Sequence, residues 1–177
     1  MFSPLLQQLI DSFSALPGIG PKSAQRLVFQ LLQDDKKHLA DKISETIIRA
    51  RNEIKRCAKC RIYTELDLCK ICSNPRRDST QVCVASGPAD VMAIEQAACY
   101  RGHYFILHGH LSPIDGVGPQ QLGLDQWLGS VAAHGITEVI LATNLTVEGE
   151  VTASYIATHL PATIKCCRIA HGVPSGG

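Results

Sequence analysis

Four of the eight cysteines stand in two short pairs, a spacing that is typical of a metal site. The pattern C-x2-C-x8-C-x2-C is formed by Cys57, Cys60, Cys69 and Cys72. Each pair places two thiolates on one tight turn, and two such turns facing each other hold four sulfurs around Zn²⁺ in a tetrahedron. Four thiolates leave no open coordination position, so we expect a structural zinc site. A redox pair or unrelated thiols are the alternatives, and the matched spacing disfavours both.

The segment between the two pairs, residues 61–68, is too short to fold by itself. Zinc binding should therefore be coupled to its folding. We expect loss of a cysteine ligand to unfold residues 57–72 and to leave the C-terminal half folded. Three other cysteines lie in apolar segments and are predicted to be core thiols, namely Cys83, Cys166 and Cys167.

A second motif is the run PGIGPKSAQR, which spans residues 17–26. Gly18 and Gly20 flank an apolar residue and predict a tight hairpin between two helices. Without side chains there, backbone N–H groups can approach a phosphate, and the N-terminus of the following helix favours an anion. Lys22 and Arg26 project from the start of that helix and can reach a DNA backbone. A plain corner between two helices is the alternative.

Charge is distributed unevenly along the chain. The first 80 residues carry an excess of Lys and Arg and the remainder an excess of Asp and Glu, although the net charge is only +1. A basic half is typical of a nucleic-acid-binding surface, whereas an acidic half suits a basic protein partner. The candidate DNA-binding set therefore includes a later basic stretch with Arg49, Arg51, Lys55 and Arg56. An uneven but inert solvated surface is the alternative.

Hydrophobic periodicity predicts three N-terminal helices, over residues 4–13, 22–32 and 38–54. The glycine hairpin lies between the first two. The third helix is expected to bury one apolar face, which is formed by Leu39, Ile43, Ile47 and Ile54.

After a polar stretch at residues 73–80 the pattern changes. Short apolar runs alternate with helical patterns, and strands are expected at residues 81–85, 103–107, 138–142 and 164–169. Strand–helix alternation predicts an α/β domain with a mainly parallel sheet. The predicted fold class is therefore α+β, built from several modules.

Composition excludes several protein classes. The 177 residues are 45% hydrophobic and 19% charged, which indicates a globular rather than a disordered chain. No apolar stretch approaches the roughly 18 residues that span a bilayer, and the N-terminus lacks the basic region of a signal peptide. We therefore expect a cytosolic protein without a membrane partner.

Five motifs follow one another along the chain: PGIGPKSAQR, the four-cysteine segment with its internal TEL, GHLSPIDG, EVILATN-x-TVEGE and RIAHGVP. Over essentially the whole chain they resemble the RecR family of bacterial recombination mediators. The resemblance implies a helix-hairpin-helix module over residues 1–56, a zinc finger over 57–72 and a Toprim domain over 80–177.

The resemblance also implies a function. RecR-like proteins are DNA-binding scaffolds without enzymatic activity, and they act with RecO, and in some settings RecF. They help to place the RecA recombinase on gapped or single-stranded DNA in the bacterial cytoplasm, at the nucleoid. They assemble into dimers of dimers that form rings around DNA. Such chains normally continue beyond GVPSGG with a last strand and a tail, so this chain is expected to lack that tail.

The acidic positions of the Toprim fold distinguish a scaffold from an enzyme. Catalytic Toprim domains hold Mg²⁺ with a glutamate after the first strand and an Asp-x-Asp after a later one. Here those positions are Ser86, where the family usually has glutamate, and Asn144-Leu145-Thr146. Glu148 and Glu150 remain, and we expect them to contact a protein partner. A magnesium-dependent nuclease or primase-like enzyme that uses these two glutamates is the alternative.

Overall fold

A computed structural model describes residues 2–169, and the chain divides into two compact units, Met1–Ile54 and Lys55–Gly177. The first unit is helical and the second combines a four-cysteine hairpin with a parallel sheet and helices. The predicted fold class is thus confirmed. Among the helices of the described residues, none has the length and apolar character needed to cross a membrane.

The first unit contains three helices and a short 3-10 turn before the last of them. The helices are α1 (Pro4–Ser14), α2 (Pro21–Leu31) and α3 (Lys37–Glu53). Helix α1 begins as its sequence predicts, because the Ser3 hydroxyl accepts a hydrogen bond from the Leu6 amide at 3.3 Å. Pro4 occupies the first helical turn, where a missing N–H group costs nothing.

Helices α1 and α2 share a small apolar core. Ile10, Ala24 and Val28 are buried, and Phe13 and Ile19 pack against them. Ala24 is completely buried, so its small side chain lets the two helices approach closely. Ile19, between the two hairpin glycines, anchors the hairpin to this core.

Helix α3 differs from the prediction. None of its residues is buried, and the apolar face that was expected to pack inward is exposed: Leu39, Ile43, Ile47 and Ile54. Periodicity finds an apolar face but does not say what covers it. Within the described chain, the exposure of these four side chains ranges from 36% to 61%.

The second unit begins with a two-stranded antiparallel hairpin, β1 (Lys55–Arg56) and β2 (Tyr63–Thr64). The main sheet has four parallel strands in the order β4-β3-β5-β6. They are β3 (Asp78–Ala85), β4 (Gly102–Ile106), β5 (Glu138–Ala142) and β6 (Lys165–Arg168). The helices of this unit are α4 (Pro88–Gln96), α5 (Leu124–Ser130) and α6 (Val147–His159).

Both faces of the sheet are covered, which explains the continuous apolar runs of its strands. On one face Val84, Phe105 and Leu141 form a core to which α5 and α6 contribute. On the other face Tyr104 and Ile106 pack in a second core that includes Val91 of α4 and three of the paired cysteines, Cys57, Cys60 and Cys69. The four-cysteine segment therefore shares a core with the sheet.

Of the three cysteines predicted to be core thiols, only Cys83 is buried. Cys167 is half-buried and Cys166 is exposed. Cys83 lies in β3, an inner strand, whereas the other two lie in β6, which is at the edge of the sheet formed by the described residues. The prediction for Cys166 was wrong, because an apolar run does not reveal whether its strand is an edge strand.

Candidate metal centre and nucleic-acid interface

The four paired cysteines come together in space. Their Sγ atoms all lie within 4.8 Å of one another, as the corners of one tetrahedral site require, and Cys60 Sγ is 3.5 Å from Cys69 Sγ. Within residues 2–169 this is the one group of three or more His, Cys, Asp or Glu side chains placed to share an ion. Four thiolates and no fifth ligand fit a structural Zn²⁺.

Backbone amides donate hydrogen bonds to two of the four sulfurs. The Cys69 amide donates to Cys57 Sγ at 3.3 Å, and the Cys72 amide donates to Cys69 Sγ at 3.4 Å. Burial alone raises the pKa of the Cys57 thiol, but amides of Cys60, Cys69 and Lys59 outweigh it and lower the pKa to about 6. A hydrogen bond to Cys72, with burial, raises the pKa of Cys60.

The segment between the cysteine pairs is fixed to the sheet by Arg61, which the sequence did not single out. Arg61 has a positive φ of 69°, and its guanidinium donates to the Leu122 carbonyl and lies 5.3 Å from the Phe105 ring centroid. His108 Nε2 lies 2.7 Å from the Arg61 carbonyl oxygen. These contacts join residues far apart in sequence, so no local pattern could have predicted them.

The glycine hairpin has the geometry that its sequence predicts. Gly18 adopts a φ of +81°, which favours glycine, and Gly20 is the N-cap of α2. A Cβ built on either glycine would meet no atom within 4 Å, so the hairpin backbone is open to a ligand. Pro21 starts the helix, and its first turn carries no acidic residue. The exposed amides and the helix N-terminus suit a phosphate.

Lys22 and Arg26 extend this anion-favouring surface along α2. Both are exposed, and neither forms an ion pair with any residue that the structure describes. They line a surface groove of about 580 Å³. Its other lining residues are Phe29, Gln25 and Gln30 of α2, and Gln33 just beyond the end of that helix. The groove offers cations, an aromatic ring and amides, which are groups that contact nucleic-acid backbones and bases.

The later basic residues fall in both units. Arg49 and Arg51 lie in α3, and Arg49 pairs with Glu53 at 3.3 Å. Lys55 and Arg56 form β1 of the second unit, where Lys55 forms an ion pair with Asp67. Partial neutralisation of Arg49 and Lys55 makes them weaker DNA-binding candidates than Lys22 and Arg26.

The altered Toprim positions have structural roles. Ser86 is buried, and its hydroxyl accepts a hydrogen bond of 3.3 Å from the Asn144 amide, which ties the end of β3 to the end of β5. Thr146 caps α6 by accepting from the Gly149 amide at 3.1 Å. Asp90 accepts from the Gly87 amide at 2.8 Å at the start of α4.

The two remaining glutamates have different surroundings. Glu150 forms a bidentate pair with Arg168, with N–O distances of 2.5 and 2.7 Å. Glu148 is exposed, and its carboxylate has no hydrogen bond or ion pair to the described part of the chain. Leu145 and Val147 beside it are 68% and 77% exposed. An exposed acidic side chain close in sequence to exposed apolar ones is a composition suited to protein contact.

Comparison with known proteins agrees with these features. A family model for the helix-hairpin-helix of RecR matches residues 6–51, and one for the four-cysteine zinc finger domain of RecR matches residues 54–74. A Toprim domain model matches residues 80–170. The chain is also 53% identical to the recombination protein RecR of Coxiella burnetii (strain RSA 493 / Nine Mile phase I), an alignment that covers 100% of this chain and 89% of that protein. The four-cysteine cluster is accordingly a zinc site.

Proposed function

The chain belongs to the RecR family and is a recombination-repair protein, and we propose that it acts as a DNA-binding scaffold rather than as an enzyme. In this role it works with RecO, and with RecF, to help load RecA on gapped or single-stranded DNA. It does so in the bacterial cytoplasm, at the nucleoid. The zinc site stabilises the fold and takes no part in chemistry.

The observation that carries this proposal is the open glycine hairpin followed by two exposed cations, Lys22 and Arg26. Contacts to phosphates position a protein on DNA without reading its sequence. The double variant Lys22→Ala/Arg26→Ala should therefore bind all DNA sequences more weakly. The slope of log affinity against log salt should become shallower by roughly one unit for each phosphate that the variant no longer neutralises.

Fluorescence anisotropy with labelled single-stranded and gapped DNA measures both quantities. The matched control is Lys37→Ala/Lys42→Ala, which removes two exposed cations from α3 of the same unit. This control should retain most of the affinity. Equal affinity and equal salt slope in the hairpin variant and the unmodified protein would refute DNA binding through the hairpin.

The surface around Glu148 is the proposed contact for RecO. Its support is the exposed carboxylate close in sequence to exposed Leu145 and Val147, in the half of the chain that carries excess negative charge. Glu148→Lys should weaken binding to purified RecO in calorimetry and leave DNA binding near normal. Glu65→Lys, a charge reversal at another exposed site of the same unit, is the control. Equal RecO affinity in both variants would place the contact elsewhere.

Neutral side chains support the absence of catalysis. Ser86, Asn144 and Thr146 supply no charge to hold Mg²⁺ and no ionised base near neutral pH. Supercoiled and gapped DNA incubated with the protein and Mg²⁺ should therefore stay intact. Magnesium-dependent cleavage or primer synthesis that Glu148→Gln abolishes would instead support the nuclease or primase-like alternative.

The protein is also proposed to form homo-oligomers, with a second copy covering the exposed apolar face of α3. Ile47 and Ile48 of this helix are each 61% exposed. Light scattering should show a smaller mass for Ile47→Glu than for the unmodified chain. Thr46→Glu adds the same charge to the neighbouring position of the helix and should change the mass less. A monomer in all three proteins would refute this contact.

A further inference from the structure

A cleft of about 710 Å³ lies in the second unit, between the first cysteine turn and helix α5. Its walls include Lys59 and Arg61 from the zinc segment, His103 and Phe105 from β4, and Trp127 from α5. The volume falls within the range of small-ligand sites. The hairpin that is proposed to bind DNA belongs to the other unit, and none of its residues lines the cleft.

The cleft has an aromatic wall. The rings of Phe105 and Trp127 are stacked, with centroids 4.7 Å apart and an interplanar angle of 16°, and the Arg61 guanidinium lies over Phe105. Phe105 is buried but Trp127 is only partly so. A partly exposed aromatic ring at the edge of such a stack can stack on another flat ring. All nucleobases are flat rings, so this stacking does not depend on the nucleotide sequence.

Polar groups of the cleft lack protein partners. His103 is 5% exposed, and its Nδ1 atom is buried without a hydrogen bond in the described chain. A buried polar atom without a partner is costly, which makes it a candidate ligand contact. Gln120 and Gln126 also line the cleft; both are exposed, and their amide groups make no hydrogen bond to described residues. Amides both donate and accept, as the edge of a base requires.

The charge of the lining favours an anion. Lys59 is exposed at the rim and Arg61 lies in the wall, and the residues that line the cleft include no carboxylate. Burial, together with the nearby charges of Lys59 and Arg77, lowers the pKa of His103, which favours its neutral imidazole. A nucleotide would use all of these groups, because its phosphate can contact the cations and its base can contact the aromatic wall and the amides. An acidic peptide would use only the cations, so a nucleotide matches the cleft better.

We propose that this cleft binds a nucleotide, with the base against Trp127 and the phosphate on Lys59. The nucleotide comes either from single-stranded DNA, a source that rests on the proposed function, or from the free pool. Trp127 is the single tryptophan of the chain, so its fluorescence reports directly on the cleft. The experiment uses the full zinc-loaded chain carrying Lys22→Ala/Arg26→Ala, so that the hairpin contributes little to binding.

This protein is titrated with dAMP, with a short deoxyadenylate oligonucleotide and with inorganic phosphate. We expect saturable quenching by the two nucleotide ligands and only weak competition by phosphate. Tighter binding of the oligonucleotide assigns the cleft to single-stranded DNA, and tighter binding of dAMP assigns it to a free nucleotide. Either result supports a nucleotide site.

Lys59→Gln should raise the Kd by about tenfold, the loss expected for one charge-assisted hydrogen bond. Lys70→Gln is the matched control, because Lys70 is the exposed lysine within the second cysteine pair and does not line the cleft. Zinc content confirms that both variants are folded.

Three results would overturn the proposal: no saturable quenching by either nucleotide ligand, equal Kd values for the two lysine variants, or competition by phosphate as strong as by dAMP. Quenching by an acidic peptide but not by nucleotides would assign the cleft to a protein partner and would also overturn it. Failure of the hairpin proposal is seen separately, as unchanged anisotropy in Lys22→Ala/Arg26→Ala.

Discussion

The backbone amide of Ile106 donates a hydrogen bond of 3.0 Å to the carbonyl oxygen of Cys60, so a zinc ligand is bonded directly to the edge strand β4. The same strand contributes Tyr104 to the core that contains Cys57 and Cys69. The zinc segment, residues 57–72, therefore packs over one edge of the sheet in addition to forming the metal site.

Loss of zinc should consequently affect β4 as well as residues 57–72, which differs from what the sequence alone predicted. In Cys57→Ser, or after chelation, amides of β4 (Gly102–Ile106) should exchange with deuterium at least about tenfold faster, because they lose both a hydrogen-bond partner and core packing. Amides of β5 should change much less. Hydrogen exchange followed by mass spectrometry measures both segments.

Cys99→Ser is the control for this experiment, since Cys99 is an exposed thiol outside the cluster. It should keep its zinc and its exchange pattern. Unchanged protection of β4 in zinc-free protein would mean that the sheet holds its edge without the metal.

The two hairpin glycines should respond differently to alanine. Neither Cβ would meet an atom within 4 Å, but Gly18 has a φ of +81° whereas Gly20 does not have a positive φ. Gly18→Ala should therefore lower the free energy of unfolding by about 1 kcal/mol, the cost of a left-handed conformation for an L-residue. Gly20→Ala should change it little. Urea unfolding of the two variants measures the difference.

The same two variants, Gly18→Ala and Gly20→Ala, also distinguish an effect on stability from an effect on DNA binding. A methyl group at Gly20 would stand at the N-cap of α2, where a phosphate must approach the backbone. We expect Gly20→Ala to weaken DNA binding in anisotropy despite its normal stability. Equal stability losses in the two variants would show that backbone conformation does not distinguish these positions.

Local spacing explains what the sequence could predict. The cysteine pairs and the glycine hairpin are each defined within a few residues, so their geometry follows from short-range rules. The alternation of strands and helices likewise predicted the parallel sheet. Burial was less predictable: the apolar face of α3 around Ile47 is exposed, and so is Cys166, because each depends on what packs against it.

Long-range contacts account for the remaining differences. The role of Arg61 depends on its contacts with Leu122 and Phe105. His103, whose Nδ1 atom has no partner in the described chain, lines a cleft that is formed by residues from four segments of the chain. No pattern around either residue marks it in the sequence. Such sites come from the folded topology, which brings together residues that are far apart along the chain.

Gly149 should be sensitive to substitution although it lies in a helix. A Cβ there would lie 2.0 Å from the Asn144 carbonyl oxygen and 2.9 Å from its carbon, and both are backbone atoms. Gly149→Ala must therefore move the start of α6 and weaken its cap at Thr146. We expect a loss of roughly 1–3 kcal/mol in the free energy of unfolding.

Substitution of Gly129 is a control that should change the free energy of unfolding in the opposite direction. It lies in α5, and a Cβ there would meet nothing within 4 Å. Gly129→Ala should raise the free energy of unfolding by about 0.5–1 kcal/mol, because alanine is the better helix former. Denaturant unfolding of both variants tests the pair, and a stable Gly149→Ala protein would contradict the close approach of α6 to Asn144.

The carboxylate of Glu95 links α4 to the sheet. It accepts hydrogen bonds from Arg77 Nη1 at 2.9 Å and from the Tyr104 hydroxyl at 2.5 Å. Burial raises the pKa of Glu95, but the bonds from Arg77 and Tyr104 outweigh it, so the pKa is lowered overall. A lowered pKa in the folded state means that ionised Glu95 stabilises the protein above the unfolded pKa of about 4.3. This contribution disappears as the pH falls through the folded pKa.

Glu95→Gln should therefore lower the free energy of unfolding by roughly 1–3 kcal/mol at pH 7, because it leaves the half-buried Arg77 without its charged partner. At pH 3, which lies below the unfolded pKa, the difference from the unmodified protein should shrink, because protonation of the carboxyl group then favours the unfolded chain. Glu65→Gln, at an exposed position, is the control and should show little difference at either pH. Zinc release in acid affects all three proteins alike, so the differences between them isolate Glu95. A difference that is the same at pH 7 and pH 3 would mean that the shape of the side chain, and not its charge, supports the contact.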